Sequence, residues 1–287
     1  MTDPNIVTTR DGSPTLYSTT YRECYHSVSG AYEEAFHKFV RPSGLADLSK
    51  KRDIKLLDIC FGLGYNSLVS LDHCSKSHSI SITAIEQDPS ILQKAVSIRH
   101  SQSGWTQILG ELRSTKSYHS VGQSINLIIA DARKVLSSQK GSYDIVYLDP
   151  FSTQKNAELW TRDFFMLIKE NLSPQGIILT YSSALPVRSG LLRSGFYVYE
   201  TEPVDGKRGG TLASLTQRPD EKSLSLAELN VLCATVATIP YRDRTLKSGS
   251  SEILSQRNRL LNYMIKKKKL KKVNRDKATG HILMTEH

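Results

Sequence analysis

The segment Leu56-Leu57-Asp58-Ile59-Cys60-Phe61-Gly62-Leu63-Gly64-Tyr65-Asn66 is an apolar run ending in a glycine-rich turn. That pattern reads as a buried strand feeding a helix, and it commits the chain to an α/β sheet. Glu86 closes a second apolar run, Ile82-Thr83-Ala84-Ile85, at roughly the 20-residue spacing that sets a carboxylate beside a nucleoside ribose. A nucleotide-like ligand is therefore expected, although the turn alone also suits an ordinary strand-to-helix junction.

Three details narrow the ligand. Ser67 stands where a dinucleotide fingerprint has its third glycine, which weakens the NAD and FAD readings. Asp58 stands just before the turn, where it suits an ammonium, reached directly or through water, and repels a pyrophosphate. Two further short runs end in carboxylates, Asn126 to Asp131 and Tyr143 to Asp149. In an open parallel sheet with right-handed crossovers, ligands bind beyond the carboxyl ends of the strands, so Asp58, Glu86, Asp131 and Asp149 are expected to share one crevice. A crevice rich in acceptors suits S-adenosylmethionine, whose sulfonium, ammonium, ribose diol and adenine amino group all seek them. Gly62 and Gly64 let the backbone approach it closely.

A pass along the chain gives two β-like pieces, Thr15 to Ser18 and Tyr21 to Ser27, then a helix from Gly30 to Val40 stopped by Arg41-Pro42. Core strands are expected near 54 to 60, 80 to 86, 125 to 130, 143 to 149 and 175 to 181, followed by a helix near 185 to 194. Strands at Phe196 to Thr201 and Thr211 to Thr216 would close the sheet antiparallel. Beyond them, Leu224 to Thr235 reads as a helix and Ser250-Ser251-Glu252 as the start of another. Residues 257–277 hold ten Lys and Arg against one Asp, a net +9 within a chain of net +10. Such a segment is either a solvated basic tail or a surface for the phosphates of RNA.

The motifs Leu-Asp-Ile-Cys-Phe-Gly-Leu-Gly-Tyr-Asn at 57 to 66, Leu-Asp-Pro-Phe-Ser-Thr-Gln-Lys-Asn-Ala-Glu-Leu-Trp at 148 to 160 and Gly-Lys-Arg at 206 to 208 carry a specific resemblance. Asp11-Gly12-Ser13, Tyr25-His26-Ser27 and Pro240-Tyr241-Arg242-Asp243 extend it. Over roughly residues 8 to 265 the sequence resembles the methyltransferase half of the MnmC family, and in particular its stand-alone members without the fused flavin domain. It departs from the bifunctional members at Asp149-Pro150-Phe151-Ser152-Thr153, where they usually carry Asp-Gly-Phe-Ala-Pro, and at Cys60-Phe61, where they have a glycine-rich start.

The resemblance implies a Rossmann-like, class I S-adenosylmethionine-dependent methyltransferase sheet, with an N-terminal β-hairpin extension and a helical, basic C-terminal extension. The corresponding boundaries are 1–45, 46–218 and 219–287. It implies methylation of the aminomethyl group on the wobble uridine of tRNA, 2-thiolated or not, with a separate enzyme supplying the aminomethyl precursor. Asp149 is the expected catalytic residue, orienting the amine. A carboxylate at its ordinary pKa of about 4 is a feeble base towards an alkylammonium, so positioning is its expected role. Asp149-Pro150-Phe151 is also similar to the Asp-Pro-Pro-Tyr loop of adenine amino methyltransferases, the alternative reading, and a non-catalytic RNA-binding module is a third.

Asp58, Gly62, Gly64, Asn66, Glu86, Gln87, Asp131, Ala132 and Tyr25 are the expected cofactor residues. Two of them have a second reading: Asn66 contacts the methionine moiety or caps the following helix, and Asp131 accepts from the adenine amino group or caps its own helix. Lys155, Lys207 and Arg208 are expected to contact substrate, against the alternative of solvent-facing cations. Trp160 is expected to pack rather than stack on a base.

Composition sets the remaining bounds. At 287 residues, 39% hydrophobic and 23% charged, the chain has the make-up of a globular protein with one sizeable core. Cys24, Cys60, Cys74 and Cys233 show no metal or disulfide spacing, and no run suits a signal peptide or a membrane span. A cytoplasmic protein without metal or membrane partner is expected.

Overall fold

The computed structural model describes residues 5–204 and 208–267, with 273–275 and 282–284. Its centre is an eight-stranded sheet. In chain order the strands are β4 (Ile54–Ile59), β5 (Ile80–Glu86), β6 (Ser117–Ser120), β7 (Gln123–Ile129), β8 (Tyr143–Leu148), β9 (Leu172–Thr180), β10 (Tyr197–Glu200) and β11 (Thr211–Ser214). Their order across the sheet is β10-β11-β9-β8-β4-β5-β7-β6. The five inner strands, β9, β8, β4, β5 and β7, are parallel, and β11, β10 and β6 join antiparallel at the two edges. This is the α/β, Rossmann-like architecture expected.

Alternation along the strands builds a core on each face. Leu56, Ile82, Ile145 and Ile177 enter one apolar cluster, while Leu57, Ile59, Val146, Leu148 and Ile178 enter the other. From β4 the chain winds outward through β5 to β7, then returns to place β8 on the other side of β4. The topological switch therefore lies between the carboxyl ends of β4 and β8.

Three short strands precede the sheet: β1 (Ile6–Thr8), β2 (Pro14–Ser18) and β3 (Glu23–Cys24), paired antiparallel in that order. The expected strand from Tyr21 to Ser27 shrinks to two residues, with Arg22 turning the chain at φ 56 before it and one further bond, from the Tyr25 N–H to the Leu16 carbonyl at 2.9 Å, ending the pairing after it. The expected helix from Gly30 is α1 (Ala31–Ala35), and it continues through Phe36–Val40 as a π turn in which the Arg41 N–H donates to the Phe36 carbonyl at 2.8 Å. Strand β6 escapes sequence reading because Ser-Tyr-His-Ser is a polar edge strand with no buried face to pattern it.

Helix α3 (Tyr65–His73) follows the glycine turn, and α6 (Ala132–Ser138) follows Asp131. In the C-terminal part lie α9 (Leu226–Ala234) and α10 (Ser250–Lys266). Their segment is tied to the sheet unit by a Thr161–Tyr241 bridge, by Arg242 paired with Asp163 at 2.9 Å, and by Arg133 paired with the buried Asp243 at 3.0 Å. Lys207 and the lysines from Lys268 to Lys272 lie outside the described residues. Among the described residues, no helix is long and apolar enough to cross a membrane, and no group of His, Cys, Asp and Glu could hold a metal ion.

Candidate active site

A cavity of about 770 Å³ opens over the switch, within the 300–1,000 Å³ usual for ligand sites. Its floor comes from the strand ends: Cys60 to Gly62 after β4, Glu86 closing β5, Ala130 to Ala132 after β7, and Asp149 to Ser152 after β8. Its roof is residues 16 to 27 of the N-terminal hairpin. Among the described residues, seven carboxylates line it, those of Glu23, Glu34, Glu86, Asp88, Asp131, Asp149 and Glu158, against the single cation Lys94. Such a wall attracts positively charged ligands and repels phosphate.

Local chemistry fixes the floor. Cys60 adopts φ 72 and Gly62 φ 55, a left-handed pair that folds the chain back beneath Glu86. Glu86 accepts from the Gly62 N–H at 2.9 Å through one oxygen and from the N–H groups of Gln87 and Asp88, at 2.7 and 2.8 Å, through the other. Burial raises its pKa, and these three donors oppose the rise. A side chain at Gly62 would stand 3.3 Å from the Tyr25 ring, so the glycine leaves room for that ring to close over the turn.

Asp149 and Asn66 meet at the switch. Asn66 is the second residue of α3 and 5% exposed. Its Nδ2 donates to Asp149 Oδ2 at 2.8 Å, while its Oδ1 is buried with no protein partner among the described residues. The capping role is thus not the one it takes: Gly64, at φ 88, is the N-cap. Burial pushes the Asp149 carboxyl well above the usual carboxylate range, and the charge of Glu34 adds to the rise. The expectation of a carboxylate at its ordinary pKa is corrected: this one holds its proton to higher pH.

The loop carrying Asp149 is held from the roof. Ser152 donates to Glu23 through its N–H at 3.2 Å and its hydroxyl at 2.6 Å. Phe151 stacks on Tyr21 with ring centroids 4.2 Å apart and meets Tyr25 edge-on at 4.9 Å. From beneath, Trp160, fully buried as expected of a packing residue, donates from its indole N–H to the Phe151 carbonyl at 2.9 Å.

Not every expected residue reaches the cavity. Asp58 is fully buried behind the floor, where it accepts from the Ser67 hydroxyl at 2.5 Å, and burial pushes its pKa up to about 7. It is absent from the lining because alternation along β4 turns its side chain towards α3, so direct contact with an ammonium is corrected. Gly64 also lies off the lining, since a side chain there would strike the Phe61 ring at 2.7 Å; its service is the turn. Asp131 lines the cavity and caps α6, accepting from the Arg133 N–H at 2.9 Å. Burial alone would raise its pKa, but hydrogen bonds from Arg133, whose guanidinium engages both carboxylate oxygens, hold it below the ordinary value. Gln87, Ala132 and Tyr25 line the cavity.

Of the expected substrate cations, the two within the described residues do not line it. Lys155 shares the Asp149 loop without lining the cavity, and Arg208 is exposed with its guanidinium 4.0 Å from Glu228. Glu23 and Glu34 were not anticipated, because they arrive from the N-terminal extension by tertiary docking. The only sequence signal for either was proximity to Tyr25-His26-Ser27, whose Ser27 N–H donates to Glu34 at 2.6 Å.

Comparison with known proteins adds to this geometry. Residues 97–216 match a family described as S-adenosyl-L-methionine-dependent methyltransferase. An uncharacterised protein of Methanocaldococcus jannaschii is 32% identical over 284 residues, 96% of this chain and 77% of that one. The tRNA 5-methylaminomethyl-2-thiouridine biosynthesis bifunctional protein MnmC of Azoarcus is 28% identical over 223 residues, 72% of this chain. This chain spans only 35% of that protein's length and 33% of the similar protein of Ralstonia. The crystal structure of MnmC2 from Aquifex aeolicus superposes with a TM-score of 0.79 at 33% identity, over 92% of this chain and 86% of that one.

The cofactor is accordingly S-adenosyl-L-methionine. The residues present fit it: acceptors predominate, Glu86 keeps lone pairs for a ribose diol, and the orphan Asn66 Oδ1 offers an acceptor for an ammonium.

Proposed function

The chain belongs to the MnmC-like S-adenosylmethionine-dependent methyltransferases, and we propose that it methylates the aminomethyl nitrogen of 5-aminomethyluridine, 2-thiolated or not, at the wobble position of tRNA. One observation carries the choice of an amine: Asp149, with its raised pKa, stands in a wall of seven carboxylates. An alkylammonium is drawn into such a cavity, and Asp149 takes its proton, leaving the neutral nitrogen with the lone pair that methylation requires. The bound cofactor supplies a methyl group on a sulfonium.

Each side chain then has a proposed task. Asn66 fixes the Asp149 carboxylate so that one oxygen faces the amine. Glu86 holds the ribose, Gly62 and Ala132 give the cofactor close approach, and Gln87 and Tyr25 border it. Asp131, committed to Arg133, shapes the adenine end more than it binds there. Lining up nucleophile and electrophile in this way supplies up to about 7–11 kcal/mol of barrier lowering.

The tRNA part of the reading rests on the bifunctional MnmC relatives and on the basic segment 257–277. On this reading the protein works in the cytoplasm, and another enzyme makes its aminomethyl precursor. Incubation with tRNA from cells unable to complete wobble methylation, followed by nucleoside mass spectrometry, tests it. Methylaminomethyluridine is the expected product; a new methyladenosine in its place would make the enzyme an adenine methyltransferase.

A further inference from the structure

The acidic cavity cannot hold the phosphates of its own substrate. Helix α10 begins at its rim: the Ser250 hydroxyl bonds to Glu158, which lines the cavity, and accepts from the Ala157 N–H at 2.8 Å. Seventeen residues at 1.5 Å each carry the helix about 25 Å to Lys266. Its inner face is anchored. Ile253 is buried, and Arg257 donates to the carbonyls of Ile239 and Ala237 at 2.7 and 2.9 Å while lying 4.8 Å over the Tyr241 ring.

The outer face is different. Arg259, Tyr263 and Lys266 recur at the four- and three-residue spacing that puts them on one stripe turned away from Ile253 and Arg257, and all three are exposed, Tyr263 by 52%, with Lys267 exposed at the helix end beside them. Three cations flanking an exposed aromatic ring are the elements of an RNA contact: phosphates pair with the cations, and a base or ribose covers the ring. The sequence continues with further lysines.

We infer that the outer face of α10, from Arg259 to Lys267, is an RNA-docking surface that holds the substrate's phosphates about 14 to 25 Å along the helix from its start at the cavity rim. It rests on the proposed RNA substrate and adds a ruler to it. Opposite charges at the two ends of one helix orient the RNA, and a substrate too short to reach both ends gains nothing from the far one. A free aminomethylated nucleoside is therefore turned over with the same kcat/KM whether or not this face is intact.

The test uses the full chain with Arg259 and Lys266 both changed to Glu, a milder pair changed to Gln, and Tyr263→Ala. Affinities for tRNA carrying 5-aminomethyluridine and for an unmodified RNA stem-loop are measured against salt, together with S-adenosylmethionine affinity as a check of folding. The Glu pair is expected to weaken both RNAs at least about tenfold and to flatten the slope of log affinity on log salt by about 1.4 to 2, with the Gln pair intermediate. Tyr263→Ala weakens binding about five- to tenfold with the slope unchanged. Wild-type slopes and affinities in the Glu pair would overturn the surface, whatever the enzyme methylates. Loss of RNA affinity in the variants, with no methyl transfer by the wild type to aminomethyluridine, would leave the surface standing and remove the proposed substrate.

Discussion

Asn66 Nδ2 donates to Asp149 Oδ2 across 2.8 Å, so the helix that starts at the glycine turn holds the carboxylate that ends the neighbouring strand. The bond crosses the switch between β4 and β8. Asp149→Asn keeps the shape and loses the proposed base. Turnover is expected to fall on the order of 10²- to 10⁴-fold with cofactor affinity nearly unchanged, as read by single-turnover methylation and calorimetry.

The acid limb of the rate profile reports Asp149. Its carboxyl must be ionised to accept a proton, so the rate rises with pH through its elevated pKa. Burial sets that elevation first, and the charges of Glu34 from α1 and Asp58 from β4 add to it, while Asn66 from α3 opposes it. Glu34→Gln removes one of those charges, lets Asp149 ionise at lower pH, and is expected to move the limb towards acid. An unmoved limb would show that Glu34 does not act on Asp149.

Asp58 makes stability depend on pH. Its carboxyl sits at about 7 when folded and near 4 when unfolded, so the folded state prefers the proton. The stability this confers is complete below about pH 4 and is lost as pH rises towards 7, a change on the order of 4 kcal/mol. Asp58→Asn cannot ionise. Denaturant unfolding is expected to show the variant gaining on the wild type between pH 5 and pH 8, with a flat difference at higher pH.

Glu23 acts through Ser152. Replacing it with Ala removes both bonds that tie the roof to the Asp149 loop, and kcat is expected to drop about tenfold or more. Glu23→Gln retains an acceptor and should recover most of that loss. Equal defects in the two variants would mean that the charge of Glu23, rather than its hydrogen bonds, is what matters.

Local chemistry made the sheet, the glycine turn and the strand-end positions of Glu86 and Asp149 readable, because each depends on neighbours within a few residues. What the sequence obscured was direction and docking. Asp58 looks like a strand-end ligand, yet one place along an alternating strand decides which face it takes, and it faces Ser67. Asp131 looked equally like a cap or an acceptor, and Arg133 two residues on settles its bonding. Glu23 and Glu34 depend on how an N-terminal hairpin lies over a distant cavity, which no periodicity encodes. Cys60, at φ 72, takes a left-handed backbone without the glycine that eases it, a demand no local pattern announces.

Arg133 binds Asp131 on the cavity wall with one edge and, through its Nη1, the buried Asp243 of the C-terminal segment with the other. Removing that segment would leave a mostly buried guanidinium with half its partners gone, a loss felt at the adenine end of the site. Sheet and C-terminal segment should therefore melt as one cooperative unit, and S-adenosylmethionine binding should protect Asp243 from hydrogen exchange at a distance. The C-terminal segment as far as Ser248, whose carbonyl accepts from the same Nη1 at 2.7 Å, is therefore part of the cavity wall's scaffold and not a detachable appendage.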